Sequence, residues 1–256
     1  MGKFFKALLA ILIPVALCVG AYYVYNTYFA EGGLPSVNKL IKEKKKGNFK
    51  DKDDNKLEEI PYENPLPALR EQYGNDEIMG RLQIPNLNID TPVFRAGDNR
   101  FYLNYNGYKQ WDEIGVPFFD YRNTSLSTDW QINIYGHNTK QTDLYDKLPL
   151  TNLEAYMDGE IFLNYKDVYL SIDEKLLHYE AVATKIVYGA EDNEHMKVIF
   201  KDQYDYIQHT QKLLENVYNV DSSAADFSHG ERMLVLQICH YDPEGSYLLL
   251  ICKEKN

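Results

Sequence analysis

The chemistry in this sequence centres on one cysteine, Cys239, and on the histidines that could meet it in the folded chain. Cys239 closes the apolar stretch "RMLVLQIC", which is followed by a turn and a second apolar stretch, "SYLLLIC". A free thiol has a pKa of about 8.5 and is mostly protonated at neutral pH. A histidine can accept that proton and later deliver it to a leaving amine. The pattern predicts a thiol nucleophile, provided that one histidine lies beside it.

His137 is the best candidate for that partner. The stretch "INIYGHNT" predicts an apolar strand that ends in a glycine, and a strand end that enters a loop is where a rigid scaffold presents a side chain to a cleft. His240 follows the cysteine directly, but successive strand residues point to opposite faces, so we expect it to face away from the thiol. His195, His209 and His229 lie in polar stretches, and surface positions are expected for them.

The elements that must position these residues are mostly short strands. Many short stretches rich in β-branched and aromatic residues, separated by Gly, Pro, Asn or Asp, favour a barrel or sandwich over a doubly wound sheet. The predicted strands are "IMGRLQI", "DTPVF", "GVPFFDY", "WQINIYGH", "EIFLNY", "DVYLSI", "LLHYEAVATKIVY", "RMLVLQIC" and "SYLLLIC". The sequence therefore predicts a mainly β fold with inserted helices.

Helical patterns interrupt the strands at three places. "NPLPALREQYGND" predicts a short helix near the start of the compact domain, ended by Gly74. "TDLYDKLPLTNLEAYMD" fits two short helices separated at Pro149, and "FKDQYDYIQHTQKLLENVYN" predicts one amphipathic helix. These segments predict a barrel with helices inserted between its strands.

The N-terminus predicts a membrane anchor. Residues 7–25 are almost entirely apolar, with lysines before them and tyrosines at their far end, and about 20 apolar residues are needed to cross a bilayer. A cleaved signal peptide is the competing interpretation. We expect an anchor in residues 1–30, a polar linker in 31–61 and a compact domain in 62–256. The predicted location is the cell membrane, single-pass, with a cytoplasmic N-terminus and an extracellular domain.

Composition excludes several classes of function. A formal net charge of −11 argues against nucleic acid as a partner, because phosphate binding needs clustered lysines and arginines. Cys18, Cys239 and Cys252 give no disulfide framework and no CxxC spacing. A bridge between Cys239 and Cys252 is not expected, because a hairpin would hold them too far apart. No metal site and no cofactor are expected.

Several motifs together resemble class B sortases, the cysteine transpeptidases of Gram-positive cell surfaces. The similar stretches are "GRLQIPNLNIDTPVF", "DNRFYLNYN" followed by "GVPFFDYRN", "IYGHNTKQTDLYDKL" and the terminal hairpin with its cysteine. The resemblance covers about residues 62 to 253 and includes the order of the motifs. It implies an eight-stranded barrel with an N-terminal helical segment and a long helix before the cysteine strand.

The resemblance also implies an activity and its partners. Cys239 is expected to attack the threonine carbonyl of a C-terminal sorting signal (NPxT-like) on a surface protein, and His137 to protonate the departing amine. A peptidoglycan precursor or a pilin amine is expected to resolve the thioacyl enzyme. Asn138, Ser246 and Tyr247 lie at or beside motif positions, and the resemblance implies that they contact substrate.

One departure from the family bears on activity. The family carries an arginine at the start of the strand after the cysteine, where Ser246, or Tyr247, stands here, and no arginine follows Cys239. The residue before the cysteine is usually a small hydroxylated one and is Ile238 here. Losing one preorganised oxyanion donor commonly costs about 100- to 1,000-fold in rate.

Three interpretations of the chain remain. The first is an active class B-type sortase, in which backbone N–H groups serve the oxyanion or Arg95, Arg100 or Arg122 reaches the site from another loop. The second is a degenerate sortase that binds sorting signals or pilins with little turnover. The third is an unrelated membrane-anchored β-rich surface protein in which the cysteine is structural.

Overall fold

The computed structural model describes residues 62–140, 148–189 and 194–255. All of them fall within one compact unit, Lys52–Asn256. The predicted domain boundaries near residues 30 and 61, and the predicted helix just before Pro149, fall outside or at the edge of the described residues. They stay predictions.

The described chain is built mainly from nine strands that hydrogen-bond into one sheet. In chain order these are β1 (Ile78–Ile84), β2 (Ile89–Phe94), β3 (Phe118–Phe119), β4 (Gln131–Gly136), β5 (Asp167–Ser171), β6 (Leu176–Tyr188), β7 (Asn219–Val220), β8 (Met233–His240) and β9 (Ser246–Glu254).

The sheet closes on itself as a barrel. Its strand order is β5-β1-β2-β3-β4-β8-β9-β6-β7, and an additional pairing joins β5 to β6. The two-residue strand β7 pairs only at the outer edge of β6, so the other eight strands form the closed ring. Closure removes the sheet edges that would otherwise expose unpaired backbone groups. The predicted fold class, a mainly β chain with a sortase-like eight-stranded barrel, is confirmed.

The described ranges contain three α-helices: α1 (Leu66–Tyr73), which precedes β1, and α2 (Gly159–Asn164) and α3 (Gln203–Leu213), which lie between later strands. The 3-10 helices within the same ranges are Pro85–Leu87, Phe101–Leu103, Pro149–Met157 and Glu194–Met196. Helix α1 is the predicted N-terminal helix, and it ends where Gly74 takes the left-handed φ of 58°.

Helix α2 corrects one prediction, because "EIFLNY" was expected to be a strand. Asp158 caps this helix, its carboxylate accepting hydrogen bonds from the backbone N–H groups of Glu160 and Ile161. A capping aspartate lowers the free energy of the first turn by about 1 kcal/mol. That contribution outweighs the β propensity of a short apolar run.

Strand β8 is buried on both faces along its whole length except at Cys239. Leu234, Leu236 and Ile238 lie on one face, and Met233 and Val235 lie on the other, in an apolar cluster with residues of α3. Cys239, at the end of the strand, is only half-buried. The cover over β8 therefore thins at the cysteine.

The predicted membrane location is corrected by the fold. Within the three described ranges no helix is long and apolar enough to cross a bilayer, which needs about 20 apolar residues. Helix α3 has 11 residues, too few to cross a bilayer. The predicted single-pass location therefore finds no support and is withdrawn. The predicted span itself, residues 7–25, lies outside the described residues.

Candidate functional site

The site begins with the parallel pairing of β4 and β8. Their register runs from Gln131 opposite Met233 to Gly136 opposite Ile238. His137 and Cys239 each follow directly after this last pair, and neighbouring strands lie about 5 Å apart. Residues at the same level of paired strands point to the same face, so we expect the imidazole and the thiol to leave the sheet on the same side.

Cys239 is a free, half-buried thiol. Burial raises its pKa above the ordinary value, so the protonated form is favoured and a base is needed to produce the thiolate. Cys252, the other described cysteine, is also free but fully buried, and it stands opposite Leu234 at the other end of the hairpin. The expectation that these two cysteines form no bridge is confirmed.

His137 is oriented by a backbone carbonyl. Its Nε2 lies 2.7 Å from the carbonyl oxygen of Leu103, in the 3-10 helix after β2. A carbonyl oxygen only accepts hydrogen bonds, so Nε2 carries the proton and donates it. This contact fixes the tautomer, and Nδ1 is the nitrogen left to exchange a proton.

Asn138 contacts the backbone of Cys239. This buried residue donates from Nδ2 to the carbonyl oxygen of Cys239 at 2.8 Å and to Glu154 Oε1 at 2.9 Å. Its predicted contact with substrate stays a prediction, and the bonds found here are internal ones that join the loop after β4 to the end of β8.

His240 turns away from the thiol, as expected from strand alternation. Its Nδ1 donates to Glu154 Oε1 at 2.9 Å, and this hydrogen bond raises the pKa of His240 above its ordinary value. Glu154 was missed by sequence analysis. It lies inside "TNLEAYMD", and nothing in that stretch marks it as a partner of residues 138 and 240.

The two residues at the expected arginine position face different sides of the hairpin. Ser246 pairs with His240 and is buried, and its hydroxyl donates to the carbonyl of Pro243 at 2.6 Å. Tyr247 pairs with Cys239 and is half-buried. Directly opposed residues share a face of the sheet, so Tyr247 is the one beside the thiol.

Two of the three arginines proposed as substitutes, Arg95 and Arg122, are engaged elsewhere. Arg95 donates from Nη1 to the carbonyl of Asn123 at 2.6 Å. Arg122 pairs with Asp120 through two hydrogen bonds, of 2.8 and 2.6 Å. Arg100 directly precedes the 3-10 helix that contains Leu103. None of these contacts brings a guanidinium to Cys239.

A small apolar cavity borders His137. It has a volume of about 160 Å³, and its walls come from β2, from the chain before β3 and from residues 148–150. No cluster of His, Cys, Asp and Glu side chains among the residues in the described ranges could hold a metal ion. The arrangement is compatible with a thiol nucleophile that an imidazole serves as acid and base.

The other histidines split between interior and surface. His209, expected at the surface, is half-buried, and its Nε2 lies 2.8 Å from Gln131 Oε1. His229 is exposed, with 83% of its side chain accessible. The prediction for His209 is wrong because α3 packs the imidazole against the start of β4.

Comparison with known proteins finds similarity to sortase B. No family model matches the chain. Sortase B of Listeria monocytogenes is 27% identical over 173 residues, 68% of this chain and 66% of that protein. Sortase B of Staphylococcus aureus is 20% identical over 181 residues, 70% of each. The chain thus spans about two thirds of the length of these curated relatives.

Solved structures share the fold. Sortase B of Clostridium perfringens superposes with a TM-score of 0.67 at 22% identity, over 75% of this chain and all of that one. A substrate complex of Staphylococcus aureus sortase B gives 0.62 at 15% identity, over 86% and 93%. A sortase B complexed with triglycine gives 0.62 at 15%, over 75% and 85%. The chain resembles class B sortases in sequence and in fold, and this homology supports a sortase transpeptidase.

Proposed function

We propose that this protein is a cysteine transpeptidase that cleaves a threonine-containing sorting signal and transfers the signal-bearing protein to an amine. Cys239 is the nucleophile and His137 is its acid and base. One observation carries the proposal: the two residues stand directly after the last paired positions of the parallel strands β4 and β8. The similarity to sortase B supports the same assignment.

The proposed reaction has two steps. Sγ of Cys239 bonds to the threonine carbonyl carbon while its proton passes to Nδ1 of His137. The C–N bond to the next residue then breaks, and His137 returns the proton to the departing amine. A second amine attacks the thioacyl carbon, a new amide forms, and its proton returns through His137 to the thiolate.

The missing arginine decides how fast this reaction runs. The developing oxyanion needs a hydrogen-bond donor, and no arginine follows Cys239. Backbone N–H groups at the end of β8 are the donors that we assign to this role. A second candidate function, a degenerate sortase that binds sorting signals or pilins with little turnover, is favoured by the same absence.

The partners follow from the proposed chemistry. The acyl donor is a protein with a C-terminal sorting signal of the NPxT type, and the acceptor is an amine of a peptidoglycan precursor or a pilin. Among similar proteins, one sortase B has been solved with triglycine and one with a substrate. These complexes support a peptide donor and an amine acceptor for this chain.

Intact-protein mass spectrometry tests the proposal directly. The full chain is incubated with NPxTx-type and LPxTx-type peptides, and a mass increase that matches the thioacyl adduct is expected. The adduct should disappear in Cys239→Ala and should survive in Cys252→Ala, which removes the buried thiol instead. General acid–base catalysis contributes about 100- to 10,000-fold, so His137→Ala should slow adduct formation by about that factor.

The opposite result discriminates between the two functions. If the folded wild-type protein, with its thiol free, forms no adduct with any peptide, transpeptidation is excluded. Peptide binding without an adduct, measured by calorimetry, would then support the degenerate sortase.

A further inference from the structure

A carboxylate joins the two chain segments that carry the reactive side chains. Glu154 lies in the 3-10 helix before α2, and its Oε1 accepts from Asn138 Nδ2 and from His240 Nδ1, both at 2.9 Å. Asn138 is the residue after His137, and His240 is the residue after Cys239. One oxygen atom thus contacts the position directly beyond each member of the reactive pair.

Two further hydrogen bonds tighten the same junction. Asn138 Nδ2 also donates to the carbonyl oxygen of Cys239 at 2.8 Å, and the hydroxyl of Tyr241 donates to the carbonyl of Asn138 at 2.7 Å. The end of β4 and the end of β8 are therefore connected through side chains beyond the point where their backbone pairing stops. We call Glu154, Asn138 and His240 the carboxylate clamp.

The clamp is largely shielded from water. The side chains of His240 and Glu154 are 10% and 14% exposed, and a shielded carboxylate is costly unless it is paired and hydrogen-bonded. The hydrogen bond that His240 donates to Glu154 raises the pKa of His240, with a smaller contribution in the same direction from Asp242 in the following turn. An imidazolium at this position neutralises the carboxylate.

We propose that Glu154 is a positioning residue, which acts through Asn138 and His240 to hold the imidazole of His137 and the thiol of Cys239 in reactive register. This proposal rests on the proposed function. Glu154 touches neither the thiol nor the catalytic imidazole, so its effect is on the geometry of the pair. A displacement of about 1 Å at a reacting centre can cost about 100-fold in rate.

The test compares Glu154→Ala and Glu154→Gln with a matched control, Glu174→Gln. Glu174 is an exposed glutamate in the turn before β6. Glu174 precedes the first residue of the 13-residue strand β6, whereas Ser246 pairs with the last residue of that strand. The two ends of the strand are about 40 Å apart. Transpeptidation is followed with the full-length protein, and kcat and KM are measured separately.

The proposal predicts a selective loss of kcat. Glu154→Ala should lower kcat by about 100-fold and leave KM within about threefold, because binding contacts with the peptide are kept. Glu154→Gln keeps an oxygen acceptor but loses the charge, so its kcat should fall by less than that of Glu154→Ala. Glu174→Gln should match the wild type. A raised KM with unchanged kcat, or no change in either constant, would overturn the positioning role.

A peptide-free measurement separates this proposal from the proposed function. The rate at which iodoacetamide alkylates Cys239 is measured by peptide mapping in the wild type, His137→Ala and Glu154→Ala. If Glu154 positions the pair, both substitutions slow alkylation. If the wild type forms no thioacyl adduct, transpeptidation fails, but slower alkylation in both variants still supports the clamp.

An unchanged or faster alkylation rate in Glu154→Ala would overturn the clamp whether or not the wild type turns over. Near-ultraviolet circular dichroism establishes that each variant is folded. Should Glu154→Ala fail to fold, the isosteric Glu154→Gln carries the same comparison.

Discussion

Where β4 and β8 begin, an arginine ties the strand pair to its surroundings. Arg232 donates from Nε to the carbonyl of Asp129 at 2.9 Å, and its Nη2 donates to the carbonyl of Leu126 at 2.5 Å. Its Nη1 lies 3.2 Å from Glu254 Oε2, and the two side chains are 14% and 16% exposed. Each nitrogen of this guanidinium has an oxygen partner.

Where the same strands end, the central group is a carboxylate. Glu154 accepts hydrogen bonds from Asn138 and His240, and the hairpin turn supplies no arginine. The histidines differ as well. Burial lowers the pKa of His209, near the start of β4, to about 4. The hydrogen bond to Glu154 raises the pKa of His240. One histidine is thus held neutral and the other is favoured as a cation.

The two ends of the strand pair therefore use different cations. At the start of the strands an arginine satisfies backbone carbonyls and a carboxylate, which contributes to stability. At the end of the strands, the residue after Cys239 is a histidine whose pKa is raised by its hydrogen bond to Glu154, which favours its protonated form. The family resemblance implied an arginine at this end, and the structure has a histidine paired with Glu154 there instead.

Removing the arginine at the start of the strands should have the largest effect. Arg232→Met leaves Glu254 and two carbonyls without their donor, so the free energy of unfolding should fall by about 3 kcal/mol. Arg81→Met, which breaks the exposed pair with Asp90, should cost less than about 1 kcal/mol. Urea unfolding measures both. Equal losses would mean that the Arg232 contacts contribute no more than a surface pair does.

The second effect is on the pH dependence of stability. The pKa of His209 is about 4 in the folded chain and about 6.5 when unfolded, so the unfolded state binds more protons between those values. Stability should therefore fall as the pH drops from 6.5 towards 4. We expect a loss of about 2 kcal/mol, less than the full shift gives because the imidazole is partly exposed.

The control for that effect is a second histidine. Thermal unfolding from pH 7 to 4 should show the loss of stability in the wild type and in His229→Gln. The side chain of His229 is 83% exposed in the native protein, so its removal should not change the pH dependence. His209→Gln should remove the loss. A slope that survives in His209→Gln would assign the titration to other groups.

The smallest effect comes from adding an arginine at the reactive end. Tyr247 stands opposite Cys239 on the same face, so Tyr247→Arg brings a guanidinium to the thiol. An added oxyanion donor should raise the rate of thioacyl formation by about tenfold, less than removing a preorganised donor costs. Tyr218→Arg adds the same charge at an exposed site away from the hairpin and should leave the rate unchanged. A lower rate in Tyr247→Arg would mean that a guanidinium on this face of the hairpin does not stabilise the oxyanion.

Much of the fold could be predicted from local patterns. The predicted strand "LLHYEAVATKIVY" has the observed bounds of β6, Leu176–Tyr188, and "IMGRLQI" has those of β1. Long alternating or β-branched runs give this agreement because their period matches the pleat. The run "EIFLNY" failed because six residues are too few to distinguish a strand from a capped helical turn, which formed at Asp158.

The candidate site was predictable only where a strand end marked it. His137 and Cys239 each follow an apolar strand, and that position is visible in the sequence. Glu154 was not predictable, because its contact with His240 joins residues 86 positions apart and depends on how the 3-10 helix packs. The choice between Ser246 and Tyr247 depends on the register of the hairpin, which the turn sequence alone leaves open.

The parallel pairing of β4 and β8 has a consequence for how the protein is made. Asn138 and Cys239 are 101 positions apart, and the strand pairs between them belong to other parts of the barrel. Contacts of such high sequence separation form slowly, because the loop must close before they are gained. A nascent or partly folded chain carries the thiol without its imidazole. The proposed pair of Cys239 and His137 is therefore assembled only when the barrel closes.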